Sequence, residues 1–223
     1  MREKSERFKR GKMGIHQTRE IILKKIRMAL LNAVEQPYPG QEAHYPVFET
    51  SGADLCEQFA SEFRALQGEV IFCKEKKEFV SKLEALVSEK KWTNVACLSA
   101  ALTESLRLHI LPFINAEGEP DAGITGCEFL IARTGTVAMS SGQSSGRAFS
   151  VYSPVHIVLA ERSQVLPDLE DAFEAFGNKF SDEWPSALFF ASGPSRTGDI
   201  EKTLVLGVHG PIEVYVFILD DKF

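Results

Sequence analysis

The segment 191–201 carries the side chains best suited to binding an anion. It has the sequence A-S-G-P-S-R-T-G-D-I-E and follows the predicted strand 187–191. Glycine and hydroxyl residues let backbone N–H groups converge on one anion, and a guanidinium group pairs bidentately with a carboxylate or a phosphate. It is neither a Walker A loop nor a Rossmann fingerprint. The anion contacts predicted in this segment are Ser192, Gly193, Ser195, Arg196 and Thr197.

Three further residues in this part of the chain are candidates for proton transfer. Asp199 and Glu201 end the same segment, where they could also pair with Arg196, cap the next helix or bind a divalent ion. His209 lies between two glycines in L-G-V-H-G-P. A loop of this kind is a poor place for a core side chain, so His209 could act as a general acid or base. Capping of a helix end is an equal alternative.

A second turn could hold an anion opposite this segment. The tripeptide Thr134-Gly135-Thr136 offers two hydroxyls, a residue that tolerates a left-handed turn and several backbone N–H groups. The alternative is a plain hairpin turn, which uses the same residue types. His156 lies in the apolar strand pattern P-V-H-I-V-L, which favours a structural core histidine.

Composition places the chain among globular proteins. It has 223 residues, 44% of them hydrophobic, and a net charge of −6. The sequence has no run of 18 apolar residues, so no membrane span is predicted. The N-terminal charges are not followed by the apolar stretch of a secretory signal. The four cysteines lack C-x-x-C spacing, so we expect reduced core thiols in a cytoplasmic protein, with no structural metal and no iron–sulfur cluster in this chain.

A basic arm precedes the main domain. Residues 1–27 contain ten Lys or Arg and three Glu, a net charge of +7. A helix is predicted from Thr18, and a connector with three prolines follows, so we predict an arm over 1–50 and an α/β domain over 51–223. The arm has no nucleic-acid-binding motif or interleaved aromatics, so no nucleic acid is expected as a partner. Met13 is an alternative start.

The main domain alternates between helical and strand patterns. Apolar spacing predicts helices at 52–67, 75–90, 101–106 and 168–176, the last ended by Gly177. It predicts strands at 69–73, 94–98, 156–160, 187–191 and 214–219. Strands separated by helices indicate a three-layer α/β fold with a mostly parallel sheet covered by helices on both faces. In such sheets ligands bind beyond the carboxyl ends of the strands.

These motifs together resemble the lactate-utilisation protein C family, whose members carry a LUD domain. The resemblance covers most of residues 18–219, and the order of S-G-P-S-R-T-G-D-I-E and G-V-H-G-P makes it specific. Two positions depart from the family pattern. Arg133 stands where the family usually has Glu in I-A-E-T-G-T, and Ile212 stands where an Arg commonly follows G-V-H-G-P.

The resemblance implies a fold like that of NagB, RpiA and CoA transferases. It also implies a role in oxidising L-lactate to pyruvate beside separate subunits that carry iron–sulfur clusters. In that role the anion loops would hold a hydroxy-acid carboxylate, a phosphate-bearing cofactor of unknown identity or a partner subunit. Two alternatives stay open, an independent enzyme acting on a phosphorylated or CoA-type molecule and a non-catalytic binding or regulatory module. A homo-oligomer is also compatible with the sequence.

Overall fold

The computed structural model describes residues 15–31, 54–108, 111–114, 119–143, 152–197, 205–207 and 209–220. The chain divides into two compact units, Met1–Glu49 and Thr50–Phe223. The described part of the first unit contains one helix, α1 (Ile15–Leu30). It lies where the sequence has helix-favouring residues and no glycine or proline. None of the described helices is long and apolar enough to cross a membrane.

The described part of the second unit contains four α-helices and eleven strands. The helices are α2 (Leu55–Ala65), α3 (Lys76–Lys90), α4 (Ala100–Ser105) and α5 (Leu169–Lys179). The strands are β1 (Glu69–Cys73), β2 (Val95–Cys97), β3 (Ala122–Gly126), β4 (Phe129–Ile131), β5 (Thr136–Ser140), β6 (Val155–Glu161), β7 (Val165–Leu166), β8 (Leu188–Ala191), β9 (Arg196–Thr197), β10 (Val205–Leu206) and β11 (Glu213–Leu219).

Five of these strands form the main sheet. Their order is β1-β11-β6-β3-β2, and every neighbouring pair is parallel. The longest strands, β6 and β11, lie next to each other with Val155 opposite Glu213. Both are apolar and buried along most of their length, as expected for central parallel strands covered on two faces. The predicted α/β fold with a mostly parallel sheet is confirmed.

A second sheet packs on the main one, and the sequence did not predict it. Its order is β7-β4-β5-β8, with β5 antiparallel to both of its neighbours. Side chains of β4, β5, α2, β6 and β11 share one core, which includes Phe59, Phe63, Val137, Val158 and Val216. One face of the main sheet is therefore covered by a helix and a sheet, and α3 and α4 cover the other face.

Helix α5 covers the outer side of the second sheet. Phe176 is fully buried there against Ile131 and Ala138. The helix begins at an aspartate cap, because the Asp168 carboxylate accepts a hydrogen bond from the Leu169 N–H at 2.5 Å. The prediction that Gly177 ends this helix is wrong. The helix continues to Lys179, since a glycine inside a helix weakens it by only about 1 kcal/mol and packing of Phe176 outweighs that.

Arg133, the cation at a position where the related family usually has Glu, pairs with the capping residue of α5. Its Nε and Nη2 donate to the two carboxylate oxygens of Asp168, both at 2.7 Å. The guanidinium holds the pKa of Asp168 below its ordinary value. Arg133 therefore links the T-G-T turn to the start of α5. The residue that departs from the family pattern thus has a structural role in this chain.

Replacing Asp168 by alanine should lower the free energy of unfolding by about 2 kcal/mol. About 1 kcal/mol reflects the lost helix cap and about 1 kcal/mol the lost bidentate pair, which is partly exposed. Asp168→Asn keeps a good capping side chain and should lose only about half as much. Urea unfolding of the two variants measures the difference, and equal losses would show that the cap and the pair are not separate contributions.

Candidate functional site

An open cleft of about 730 Å³ brings together residues that are distant in the sequence. It is lined by residues 188–196, which run from β8 into β9, and by 209–211, which precede β11. The structure therefore joins two of the segments that the sequence singled out for chemistry. The remaining lining residues are Leu66, Met139, His156 and Val214.

Backbone hydrogen bonds hold the two segments against each other. The Ser195 N–H donates to the Pro211 carbonyl at 2.9 Å, and the Gly207 N–H donates to the Ser195 carbonyl at 3.0 Å. Strands β9 and β10 pair antiparallel just beyond these contacts. Gly210 fits closely here, since a Cβ at that position would lie 2.9 Å from the Ser195 Cβ. The geometry around Ser195 is thus fixed by the backbone.

Arg196 is the exposed cation of the cleft, and the end of α2 orients it. Its Nη2 donates to the Leu66 carbonyl at 2.5 Å and to Gln67 Oε1 at 3.0 Å. Both acceptors are neutral, and within the described part of the chain no carboxylate pairs with the guanidinium. The side chain is therefore held in place while its charge stays available to a ligand.

The T-G-T turn lies beside the cleft and reaches it through Ser192. Thr136 Oγ1 is 2.8 Å from Thr134 Oγ1 and 2.8 Å from Ser192 Oγ. Gly135 has a φ of +55°, a left-handed conformation that favours glycine. The two threonines and the glycine are not among the residues that line the cleft. The turn therefore positions Ser192 through the contact with Thr136. Their predicted contact with a ligand stays a prediction.

The remaining predicted residues have different positions. His209 is exposed and lines the cleft. Thr197 is half-buried in β9, one residue beyond the lining segment. Asp199 and Glu201 lie outside the described residues. Their predicted roles, and the ligand contacts of the other candidates, stay predictions.

His156 also lines the cleft, and sequence reasoning assigned it only a structural role. It is the second residue of β6 and is 2% exposed. Its Nε2 lies 2.8 Å from Thr125 Oγ1 on the neighbouring strand β3. Burial lowers the pKa of the imidazole to about 4. A period-two apolar pattern looks the same for a core histidine and for one that borders a cavity, so nothing in the local sequence distinguished the two.

The stability of the fold should fall in mild acid because of His156. Its pKa is about 4 in the folded chain and about 6.5 when exposed, so between these values only the unfolded chain binds the proton. The contribution is fully present above pH 6.5 and is lost by pH 4, which amounts to about 3 kcal/mol. Urea unfolding at pH 7 and pH 4.5 measures the loss. The loss should be smaller in His156→Gln, and an equal loss would contradict the assignment.

The charge of the cleft favours an anion. Of the described residues that line it, the charged or titratable side chains are Arg196, His156 and His209, and none is a carboxylate. Hydroxyls of Ser192 and Ser195 lie on the same surface, and the other side chains are mostly apolar. Such a set of donors on an apolar background is typical of a small-molecule site.

The cleft lies at the opposite end of the main sheet from the one expected. His156 and Val214 are near the amino ends of β6 and β11, and residues 192–196 leave β8, a strand of the second sheet. The carboxyl ends of β2, β3 and β6 border a smaller cleft of about 380 Å³, lined by Ser99, Gly126, Cys127, Leu159, Glu161 and Gln164 among others. Among its described lining residues the one charged side chain is the Glu161 carboxylate, so the chemistry of this smaller cleft differs from that of the larger one.

The cysteines are structural in the part of the chain that the structure describes. All four are buried thiols, and none of them is in a disulfide. Burial raises the pKa of Cys127 far above its ordinary value, which leaves an unreactive thiol. No group of three or more His, Cys, Asp or Glu side chains among the described residues is placed to hold a metal ion.

Comparison with known proteins identifies relatives of part of the chain. The family model of the LUD domain matches residues 113–219. Lactate utilization protein C of Halalkalibacterium halodurans is 34% identical over 106 residues, which are 47% of this chain and 46% of that protein. Lactate utilization protein C 1 of Bacillus mycoides is 36% identical over 104 residues, which are 46% of this chain and 44% of that protein. The matches span less than half of each relative.

A solved structure supports the fold over a larger part of the chain. The crystal structure of a DUF162 family protein from Deinococcus radiodurans has a TM-score of 0.57 and covers 77% of this chain and 99% of its own. Its sequence identity is 18%, so this likeness concerns the fold alone. The resemblance drawn from the motifs is confirmed by the LUD-domain match and by the relatives that share it.

Proposed function

We propose that this chain, whose residues 113–219 match the LUD domain and which resembles the lactate-utilisation protein C family, serves L-lactate utilisation by binding an anion in the cleft around Arg196. In this proposal the chain itself carries no iron–sulfur cluster. It acts beside iron–sulfur subunits in the cytoplasm, and the arm, residues 1–50, is separate from the LUD-type domain, residues 51–223.

The proposal rests on the side chains that line the cleft, because they favour an anion. Arg196, His209 and the Ser195 hydroxyl can donate to a carboxylate or a phosphate, and the described lining residues include no carboxylate that would repel it. Because Arg196 is already oriented by Leu66 and Gln67, little side-chain entropy is lost when the anion binds. The site thus suits an anionic group such as a carboxylate or a phosphate.

The size of the cleft favours a second candidate. L-lactate has six non-hydrogen atoms, whereas clefts of roughly 300–1,000 Å³ hold ligands of drug size. At about 730 Å³ the cleft has room for a larger anion, such as a phosphorylated or CoA-type molecule. In that case the chain would be an enzyme or a binding module in its own right. Turnover of such a molecule by the isolated protein would favour this candidate.

Calorimetric titration of the purified protein with L-lactate and with inorganic phosphate tests the proposal. We expect saturable binding of L-lactate with one site per chain, weakened by added salt because the interaction is electrostatic. Phosphate binding that is tighter than lactate binding would favour the second candidate. The absence of binding for both anions would contradict an anion site in this cleft.

A further inference from the structure

We infer that His156 is a specificity-determining residue of this cleft, and that its Nδ1 accepts a hydrogen bond from the hydroxyl group that the proposed hydroxy-acid ligand carries beside its anionic group. The inference rests on the proposed function, because it concerns the same cleft and names the class of ligand. A 2-hydroxy acid meets both requirements, because its hydroxyl and its carboxylate are on adjacent carbons.

The hydrogen bonds of Thr125 determine which nitrogen of His156 carries the proton. Thr125 Oγ1 donates its single proton to the Gly126 carbonyl at 2.9 Å. The same oxygen lies 2.8 Å from His156 Nε2, and with its own proton directed to that carbonyl it accepts from Nε2. With the proton on Nε2, the lone pair of the neutral ring is on Nδ1. Among the described residues Nδ1 has no hydrogen-bond partner, so it is the ring atom that can serve a ligand.

The ring stays uncharged under physiological conditions. It is 2% exposed, and burial lowers its pKa to about 4, so at neutral pH Nδ1 only accepts hydrogen bonds. An ionised carboxylate or phosphate oxygen is itself an acceptor and gains nothing there. The described lining of the cleft therefore offers donors at Arg196 and Ser195, and at His156 a group that only accepts.

A hydroxyl suits that acceptor better than an ammonium group. Both can donate to Nδ1, but an ammonium would bring a positive charge into a cleft whose described charged or titratable lining side chains are Arg196, His156 and His209. No carboxylate of the described lining would offset that charge. A hydroxyl donates without adding charge, so the lining selects a hydroxy acid over an amino acid.

The test compares three acids with the same carbon skeleton: L-lactate, propionate and L-alanine. Titrations of the full chain, followed by NMR, give the three dissociation constants. We expect L-lactate to bind at least about tenfold more tightly than propionate, because propionate leaves the buried acceptor unsatisfied. L-alanine should bind more weakly than L-lactate.

Two variants locate the effect. His156→Leu removes the acceptor and should bring the affinities for lactate and propionate together. Thr125→Val keeps the imidazole but removes the hydroxyl that fixes the proton on Nε2, so it should lower the preference for lactate with less change to the core. Circular dichroism confirms that each variant is folded, and the comparison of the three acids on the unaltered chain stands without either variant.

The outcomes separate this inference from the proposed function. Equal affinity for lactate and propionate in the unaltered chain would overturn the role of His156 while leaving the anion site intact. A preference for lactate that persists in His156→Leu would also overturn it. Failure of all three acids to bind would overturn the anion site and the hydroxyl contact together.

Discussion

Replacing Arg196 by alanine is expected to abolish growth on L-lactate as the sole carbon source. The substitution removes the exposed guanidinium of the cleft, and with it the bidentate partner of a carboxylate. The loss of a charge-assisted pair of this kind is worth about 2–3 kcal/mol, or roughly a hundredfold in affinity. Complementation of a strain that lacks the gene measures the effect, with growth on another carbon source as the reference.

The substitution also removes two hydrogen bonds at the end of α2, so it needs a control for folding. Gln67→Asn is matched to it, because it shortens the side chain that contacts Arg196 and leaves the charge of the cleft unchanged. Asparagine tolerates the left-handed backbone of that position, where φ is +67°. We expect Gln67→Asn to support growth and Arg196→Ala not to. Growth of the Arg196→Ala strain on L-lactate would show that Arg196 is not needed for ligand binding.

Replacing Gly135 by alanine should cause a large loss of stability. The φ of +55° costs an alanine about 1–2 kcal/mol, and its Cβ would lie 2.6 Å from the Phe63 backbone nitrogen. Backbone atoms of α2 cannot move aside without disturbing the core around Phe63, so overpacking adds about 1–3 kcal/mol. We therefore expect a total loss of about 3 kcal/mol.

Urea unfolding measures this loss, and a second glycine provides the control. Gly177 lies inside α5, and a Cβ there would have no heavy atom within 4 Å. Gly177→Ala should therefore stabilise the chain by about 0.5–1 kcal/mol. A loss below about 1 kcal/mol for Gly135→Ala would contradict the tight approach of the T-G-T turn to α2. If that turn shifts, Ser192 loses its contact with Thr136 as well, and binding in the cleft should weaken.

Much of the main sheet could be predicted, because its strands and helices have clear apolar periodicity. Strand β1 has the predicted bounds, α3 begins one residue later than predicted, and β6 is one residue longer than predicted at each end. Strand β3 was not recognised. Its sequence A-G-I-T-G has two glycines, which disfavour strands in isolation, and only its central place between β6 and β2 accounts for it.

The cleft could be predicted in its parts but not in its location. Residues 192–196 and 209–211 were both selected from their glycines, hydroxyls and charges, and the structure places them together. Their position at the amino ends of β6 and β11 was not expected, because β8 was assumed to belong to the parallel sheet. The role of Arg133 also depends on a partner 35 residues away, Asp168, which no local pattern reveals.

The proposed place of the chain beside iron–sulfur subunits is tested most directly by gentle isolation of the tagged chain from its native cells grown on L-lactate. Iron and L-lactate-dependent dye reduction are then measured in the eluate. We expect both to be present, and both to be lost when the chain is separated from its partners. An iron-free eluate that contains only this chain, from cells that are oxidising L-lactate, would contradict its place beside iron–sulfur subunits.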